Sequence, residues 1–197
     1  MGVMLSAAGS LRWLRDTVGG TYDELLAEAE AWPPGTEGLL FQPYLVGERT
    51  PHVDPNARGA FVGLSIRHDR GALARAVLEG VAYGLRDSLE LLRELGVNAT
   101  AARVSGGGAR SELWLQIVAS VLDVPLEVTE VEEGAAFGAA LLGGVKTGVF
   151  ADVAEAVRSC VRIRDSVDPV PAWRDAYEQG YARFRSLYPA LQPLEEK

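Results

Sequence analysis

Apolar positions along this chain follow helical spacing in several stretches. Leu73, Val77, Val81, Leu85, Leu89 and Leu92 recur along Gly71 to Leu95 and predict one long helix. On the same stretch Ala72, Ala76, Gly80 and Gly84 fall at steps of four, a narrow stripe where another backbone can approach closely. A glycine inside a helix costs about 1 kcal/mol relative to alanine, so close packing is the expected compensation. Ser10 to Val18 predicts a shorter helix ended by Gly19-Gly20, preceded by an apolar, strand-like start over Met1 to Ser10. Thr21-Tyr22-Asp23-Glu24 is a capping box that opens a second helix, which Pro33-Pro34-Gly35 stops.

Leu39 to Leu45 is a short apolar run with Pro43 inside it, the mark of an edge strand or an extended loop. Val46 to Arg58 is polar and twice interrupted by proline, a long constrained loop, and Gly59 to Leu64 predicts a strand. Arg103 to Ser105, the turn Gly106-Gly107-Gly108, a helix over Ser111 to Leu122 and a strand over Pro125 to Val128 together make a βαβ unit. Helices are expected over Ala135 to Val145 and Ala151 to Cys160, Val161 to Val167 is ambiguous, and Pro171 opens a terminal helix. That last helix carries Trp173, Tyr177, Tyr181, Phe184 and Tyr188 along one stripe, expected to pack on the core.

Composition narrows the function classes. The 197 residues hold 19 Lys and Arg against 27 Asp and Glu, a formal charge of −8, so a surface that binds nucleic acid is not expected. A single cysteine, Cys160, and an apolar fraction of 48% read as a reduced-compartment globular protein, and a cytoplasmic location is expected. The most apolar stretch, Gly134 to Val145, ends at Lys146, short of the roughly 18 residues needed to span a bilayer, so no membrane segment is predicted. With two histidines and neither HExxH nor CxxC, no metal site built from His and Cys is expected.

The strand, glycine turn and helix around Gly106-Gly107-Gly108-Ala109-Arg110-Ser111 are the strongest candidate chemistry. Glycines let a ligand reach the backbone, and a helix N-terminus offers unpaired N–H groups. A tight turn that needs φ > 0 is the equal alternative. A dinucleotide fingerprint would need a third glycine where Ser111 stands and an acid about 20 positions on at a strand end, whereas Glu127, at a tolerable distance, falls inside its strand. The second candidate is the loop cluster Glu48, Arg49, His52, Asp54 and Arg58, read either as catalytic or, with better reason, as an arginine and carboxylate network that fixes a long loop. Glu79 is expected to pair with Arg75 four residues earlier.

Three stretches together point further: Leu40-Phe41-Gln42-Pro43-Tyr44-Leu45-Val46-Gly47-Glu48-Arg49-Thr50-Pro51-His52, Asp54-Pro55-Asn56-Ala57-Arg58-Gly59-Ala60-Phe61-Val62-Gly63-Leu64, and Leu73 to Tyr83. They resemble the C-terminal domain of the FGGY family of carbohydrate kinases, nearest in wording to its xylulokinases. The resemblance continues through Val104 to Trp114 and Glu133 to Gly148 and runs from about Gly2 to Tyr188. Ala72 departs from it, standing where the family more often has an acid or amide.

The resemblance implies an α/β fold of the actin-like, ribonuclease-H-like class, a mixed sheet flanked by helices. It implies a nucleotide-binding domain over residues 1–168, with residues 169–197 packing on it. The intact enzyme would pass the γ-phosphoryl of ATP, with Mg2+ held mainly by the nucleotide and by the missing region, to a sugar bound mostly by a preceding domain. That domain would also bring the catalytic aspartate and the phosphate-binding hairpin, so no catalytic residue is expected in this chain and it is expected to be inactive alone. Gly107 and Gly108 would approach the adenosine and α-phosphate, Ser111 would lie near the ribose or base, and Ala8-Gly9 with Arg12 would line the other wall. Arg12 stands where relatives carry an amide. An apolar face left by the missing domain implies self-association, as in a homodimer. The competing readings are a stand-alone, non-catalytic nucleotide-binding or scaffold module and a dinucleotide oxidoreductase domain.

Overall fold

A computed structural model describes residues 1–131 and 134–195, so the expectation that begins at Glu133 falls partly outside the described residues. The elements run α1 (Ala7–Val18), α2 (Tyr22–Glu30), β1 (Leu40–Gln42), β2 (Ala60–Val62), α3 (Arg70–Glu94), β3 (Ala102–Val104), α4 (Glu112–Leu122), β4 (Leu126–Thr129), α5 (Gly134–Lys146), α6 (Val153–Cys160), β5 (Ile163–Val167), α7 (Arg174–Phe184) and α8 (Leu187–Glu195). The strand-like start is not a strand. Residues 1–6 are irregular and the helix begins at Ala7, earlier than the pattern suggested.

Local chemistry explains most boundaries. Thr21 and Glu24 close the capping box reciprocally, with the Thr21 N–H donating to Glu24 Oε2 at 2.8 Å and the Glu24 N–H donating to Thr21 Oγ1 at 3.2 Å. Asp69 caps α3 by accepting the Ala72 N–H at 3.0 Å, so the cap comes from ahead of the position where Ala72 departs from the family. α4 ends on Asp123 in the left-handed region, φ 52°.

The long helix α3 is the axis of the molecule, packing against α1, α2, α4, α7 and β1. Its small-residue stripe lets β1 lie on its backbone: a methyl at Gly80 would run into the Phe41 carbonyl oxygen, and one at Gly84 would meet Met4 Cε at 2.6 Å. Buried on α3 toward the Gly35-Thr36 turn and α7, Arg75 Nε donates to Glu79 Oε1 at 2.9 Å, as the i,i+4 spacing predicts. Glu79 also accepts from the Gly35 N–H and the Thr36 hydroxyl, and Arg75 donates to the Tyr177 hydroxyl at 3.0 Å. Both Glu79 oxygens thus accept hydrogen bonds, which is what a buried carboxylate requires.

Among the described residues there are two small sheets, one of them packed on α3 through β1. β1 and β2 pair antiparallel with Phe41 opposite Phe61. β3 and β4 pair parallel, joined by α4 as the βαβ pattern requires, and the ambiguous Val161 to Val167 stretch resolves as β5, antiparallel to β4, giving the order β3-β4-β5. The terminal aromatic stripe packs on the core through Tyr177, Tyr181 and Phe184, while Trp173 and Tyr188 remain half-buried. Among the described residues no helix is long and apolar enough to cross a membrane.

Candidate nucleotide site

β3 delivers the chain to Gly106, whose φ of +90° only glycine adopts readily. Gly107–Arg110 then make one 3₁₀ turn, held by the Ala109 N–H donating to the Gly106 carbonyl at 3.0 Å and by the buried Ala109 side chain. Ser111 caps α4 by accepting the Trp114 N–H at 3.2 Å. Its hydroxyl keeps one proton to donate, which sets its reach toward any ligand.

The three glycines differ in what requires them. Gly106 needs its backbone angle, and a methyl at Gly108 would press on the Trp114 indole nitrogen at 3.0 Å. Gly107 has neither reason, because its φ lies outside the positive range and a Cβ there would meet no atom within 4 Å. The same is true of Gly9 on α1, an exposed glycine within a helix with open space beside it. Arg12 lies one turn further along α1 and is also exposed. α1 is seated on α3 by Ser10 and Leu14, and α4 packs on α3 as well, so one helix supports both Gly9 with Arg12 and the Gly107, Gly108 and Ser111 turn.

A crevice of about 490 Å³ opens on the flank of this turn, between α4 and β5, lined by Arg110, Glu112, Gln116, Arg164, Asp165 and Asp168 among others. None of Gly9, Arg12, Gly107, Gly108 or Ser111 lines it. The open space beside Gly107 is therefore a separate feature from this crevice.

The polar loop is a structural element, and its bonding differs from the arginine and carboxylate network expected of it. Its carboxylates take backbone N–H groups and its Arg58 gives to carbonyls. Glu48 Oε1 accepts from Leu5 at 3.2 Å and Arg49 at 2.6 Å, Asp54 Oδ1 accepts from Asn56 at 2.8 Å, and Arg58 donates to the Pro55 and Ala57 carbonyl oxygens. Burial pushes the Glu48 carboxyl above its ordinary range, while backbone N–H bonding, led by Asn56, holds Asp54 below its own. Burial lowers the His52 imidazole.

The pattern of apolar positions gave no sign of what that loop touches at the other end of the chain. His52 lies flat on Tyr188, with centroids 3.7 Å apart and planes 12° from parallel, and the Tyr188 hydroxyl donates to Asp54 Oδ2 at 2.9 Å. Tyr188 was legible only as one more member of an aromatic stripe. The dinucleotide reading loses its acid: Glu127 sits inside β4, opposite Arg103, and accepts from Arg103 Nε at 3.0 Å.

Comparison with known proteins agrees with the residue pattern. The profile of the FGGY family of carbohydrate kinases, C-terminal domain, matches residues 1–147. Xylulose kinase of Staphylococcus epidermidis is 38% identical over 196 residues, which cover 98% of this chain and 40% of the relative. Xylulose kinase of Bacillus subtilis is 36% identical over 196 residues, 98% of this chain and 39% of the relative. The crystal structure of a xylulose kinase from Brucella ovis superimposes with a TM-score of 0.88 at 42% identity, covering 98% of this chain and 40% of that one. A ligand-bound xylulose kinase from Lactobacillus acidophilus gives 0.87 at 29% identity, covering 94% and 38%. The chain thus spans about two-fifths of the length of these relatives. Its fold is the α/β, actin-like ATPase class of those sugar kinases, and it belongs to the FGGY family of carbohydrate kinases, as the C-terminal domain of that family.

Proposed function

We propose that this chain is the nucleotide-holding wall of an ATP-dependent carbohydrate kinase of the xylulokinase type, with Gly107, Gly108 and Ser111 on one side of the nucleotide and Gly9 with Arg12 on the other. The observation that carries this reading is that Gly107 and Gly9 have neither a positive φ nor a neighbour that a Cβ would meet, a property they share with Gly138 and Gly143 on α5. A glycine in a helix costs about 1 kcal/mol relative to alanine, and Gly9 has no close contact within the chain to offset that cost. A nucleotide lying against the backbone would account for both.

Phosphoryl transfer is mainly positioning and charge stabilisation, carried out in a cleft that closes to exclude water. One wall can hold a nucleotide but cannot orient a sugar hydroxyl or accept its proton. The base and the second phosphate-binding element belong, in this reading, to a segment outside these 197 residues, and the chain alone is inactive. Among the described residues no group of three His, Cys, Asp or Glu side chains could hold a metal ion, so no step is assigned to magnesium here. Residues 1–168 are, in this reading, the nucleotide-binding unit, and the described residues from 169 to 195 pack on it through the α7 aromatics Tyr177, Tyr181 and Phe184. The apolar α5, which packs on α6 but buries none of its residues, drives the isolated chain to self-associate, as a homodimer in the simplest case.

Calorimetry with millimolar MgATP, ADP and NADH tests this reading. Heat from the adenine mononucleotides, with none specific to NADH, is the expected result, and a folded chain that gives no heat with ATP or ADP overturns it. Coupled assays with xylulose, ribulose, gluconate and glycerol should show no turnover above a no-protein control, and turnover there refutes the assignment of the base to another segment.

A further inference from the structure

The polar loop between β1 and β2 grips the backbone just ahead of α1. Glu48, 3% exposed, takes the Leu5 N–H on Oε1 at 3.2 Å, and Thr50 Oγ1 takes the Val3 N–H at 3.0 Å. Residues 3–5 belong to no strand, so side-chain acceptors do for them what a sheet ladder does elsewhere.

The first turn of α1 needs this. Ser6, at the N-cap, makes no side-chain capping bond, and the Ser10 hydroxyl donates back to the Ser6 carbonyl instead of fixing the helix to its surroundings. Ser10 and Leu14 seat one face of the helix on the core and Met4 lies against Gly84, while the side-chain hydrogen bonds to the backbone ahead of the helix come from Glu48 and Thr50. Gly9 and Arg12 flank Ser10 in the first half of the helix. A shift of the start would move both by the same amount.

Glu48 is also an expensive residue for a loop that needs only an anchor. Its carboxylate is buried, and Oε2 has no hydrogen-bond partner among the described residues. Leaving such an atom unmet has a cost of about 1–3 kcal/mol. What offsets that cost is the pair of bonds that Oε1 accepts from the Leu5 and Arg49 N–H groups, 3.2 and 2.6 Å long.

We infer that Glu48, with Thr50, is a positioning residue for nucleotide binding: it fixes where α1 begins and thereby places Gly9 and Arg12 against the nucleotide. The inference rests on the proposed nucleotide wall. It assigns the conspicuous polar loop a task at a distance, in place of a direct part in the chemistry.

The test compares four variants of the 197-residue chain by ADP calorimetry and by amide hydrogen exchange across residues 3–12. Glu48→Ala should weaken ADP binding about tenfold and speed exchange in the first turn of α1. Glu48→Gln keeps an acceptor at the Oε1 position and should restore binding to within about twofold of the parent chain. Thr50→Val, which keeps the side-chain shape and removes only the acceptor, should weaken binding by a smaller factor, about threefold. Tyr188→Phe cuts the loop's bond to α8 and serves as the structural control, since it should lower the melting temperature without moving ADP affinity. Unchanged affinity and unchanged exchange in both Glu48→Ala and Thr50→Val overturn the inference alone. A parent chain that binds no ADP, with exchange in α1 still faster in Glu48→Ala, overturns the nucleotide reading and leaves only the anchoring of α1.

Discussion

Helices α3 and α5 are both rich in alanine and glycine, yet they have opposite fates. On α3 each glycine has a neighbour that uses it: β1 crosses at Gly80 and Met4 fills the space at Gly84 on the stripe, and the Glu28 carbonyl lies against Gly71 at the helix start. On α5 no residue is buried, Gly138 and Gly143 face open space, and Leu142 is 58% exposed. Composition alone would rank α5 as the more buried of the two. The difference teaches that a glycine stripe records a close approach, and that the partner can lie outside the chain. Gly9 and Gly107 belong with α5 in this respect, which is why they, and not Gly80, point to a ligand.

Substitutions can sharpen that contrast. The largest effect is expected from Glu79→Ala, which strands Arg75 in the α3 interface and should cost about 3–5 kcal/mol by urea unfolding. Gly80→Ala, forcing a methyl onto a backbone carbonyl, should cost about 1–3 kcal/mol in the same measurement. The same change on α5 has the reverse sign. Gly138→Ala and Gly143→Ala should each raise stability by up to about 1 kcal/mol, because the helix gains propensity and nothing is displaced. A loss at either α5 position would end the comparison. Leu142→Ser should leave stability within about 0.5 kcal/mol while lowering the sedimentation coefficient at high concentration.

The smallest effect is a pH dependence at the junction of the loop with α8. Burial holds the His52 imidazole below its ordinary 6.5, so the unfolded chain binds a proton that the folded chain resists. The stability this group contributes is full above that value and is lost as the pH falls through it toward the folded one. Asp54, Tyr44 and Tyr188 face the ring, and the Asp54 charge opposes the lowering without reversing it. Glu48 and Asp87 act in the other sense, since burial raises both and the folded chain gains protons there first. His52→Phe keeps the stacked ring and isolates the histidine. The gap in melting temperature between parent and variant should shift against the parent between pH 7.5 and 5.5, and a constant gap contradicts the assignment.

Where one local rule decided the outcome, the fold could be read from the residues. The Thr21 capping box, the turn at Gly106, the pairing of Arg75 with Glu79 and the stripe on α3 each follow from spacing and side-chain type. The irregular start could not be read this way, because Met1 to Ser10 is apolar enough for a strand but has no strand beside it among the described residues. β5 stayed ambiguous since its side chains are mostly exposed and its pairing with β4 is a long-range matter. In the candidate site, the glycines were visible, but the sequence could not separate Gly106, which the backbone needs, from Gly107, which it does not. The bonds from Glu48 and Thr50 to residues 3–5, and from Asp54 to Tyr188, join positions far apart along the chain, and no local pattern marks them.

Gly107→Val is the most direct test of the nucleotide wall, because a Cβ at this position meets no atom of the chain within 4 Å and, in this account, would meet the bound nucleotide. Calorimetry with ADP, paired with a thermal melt, should find the variant as stable as the parent but with binding reduced at least tenfold, the loss of about 1.4 kcal/mol of contact. A Gly107→Val chain that melts like the parent and still binds ADP with the parent's affinity would contradict the account.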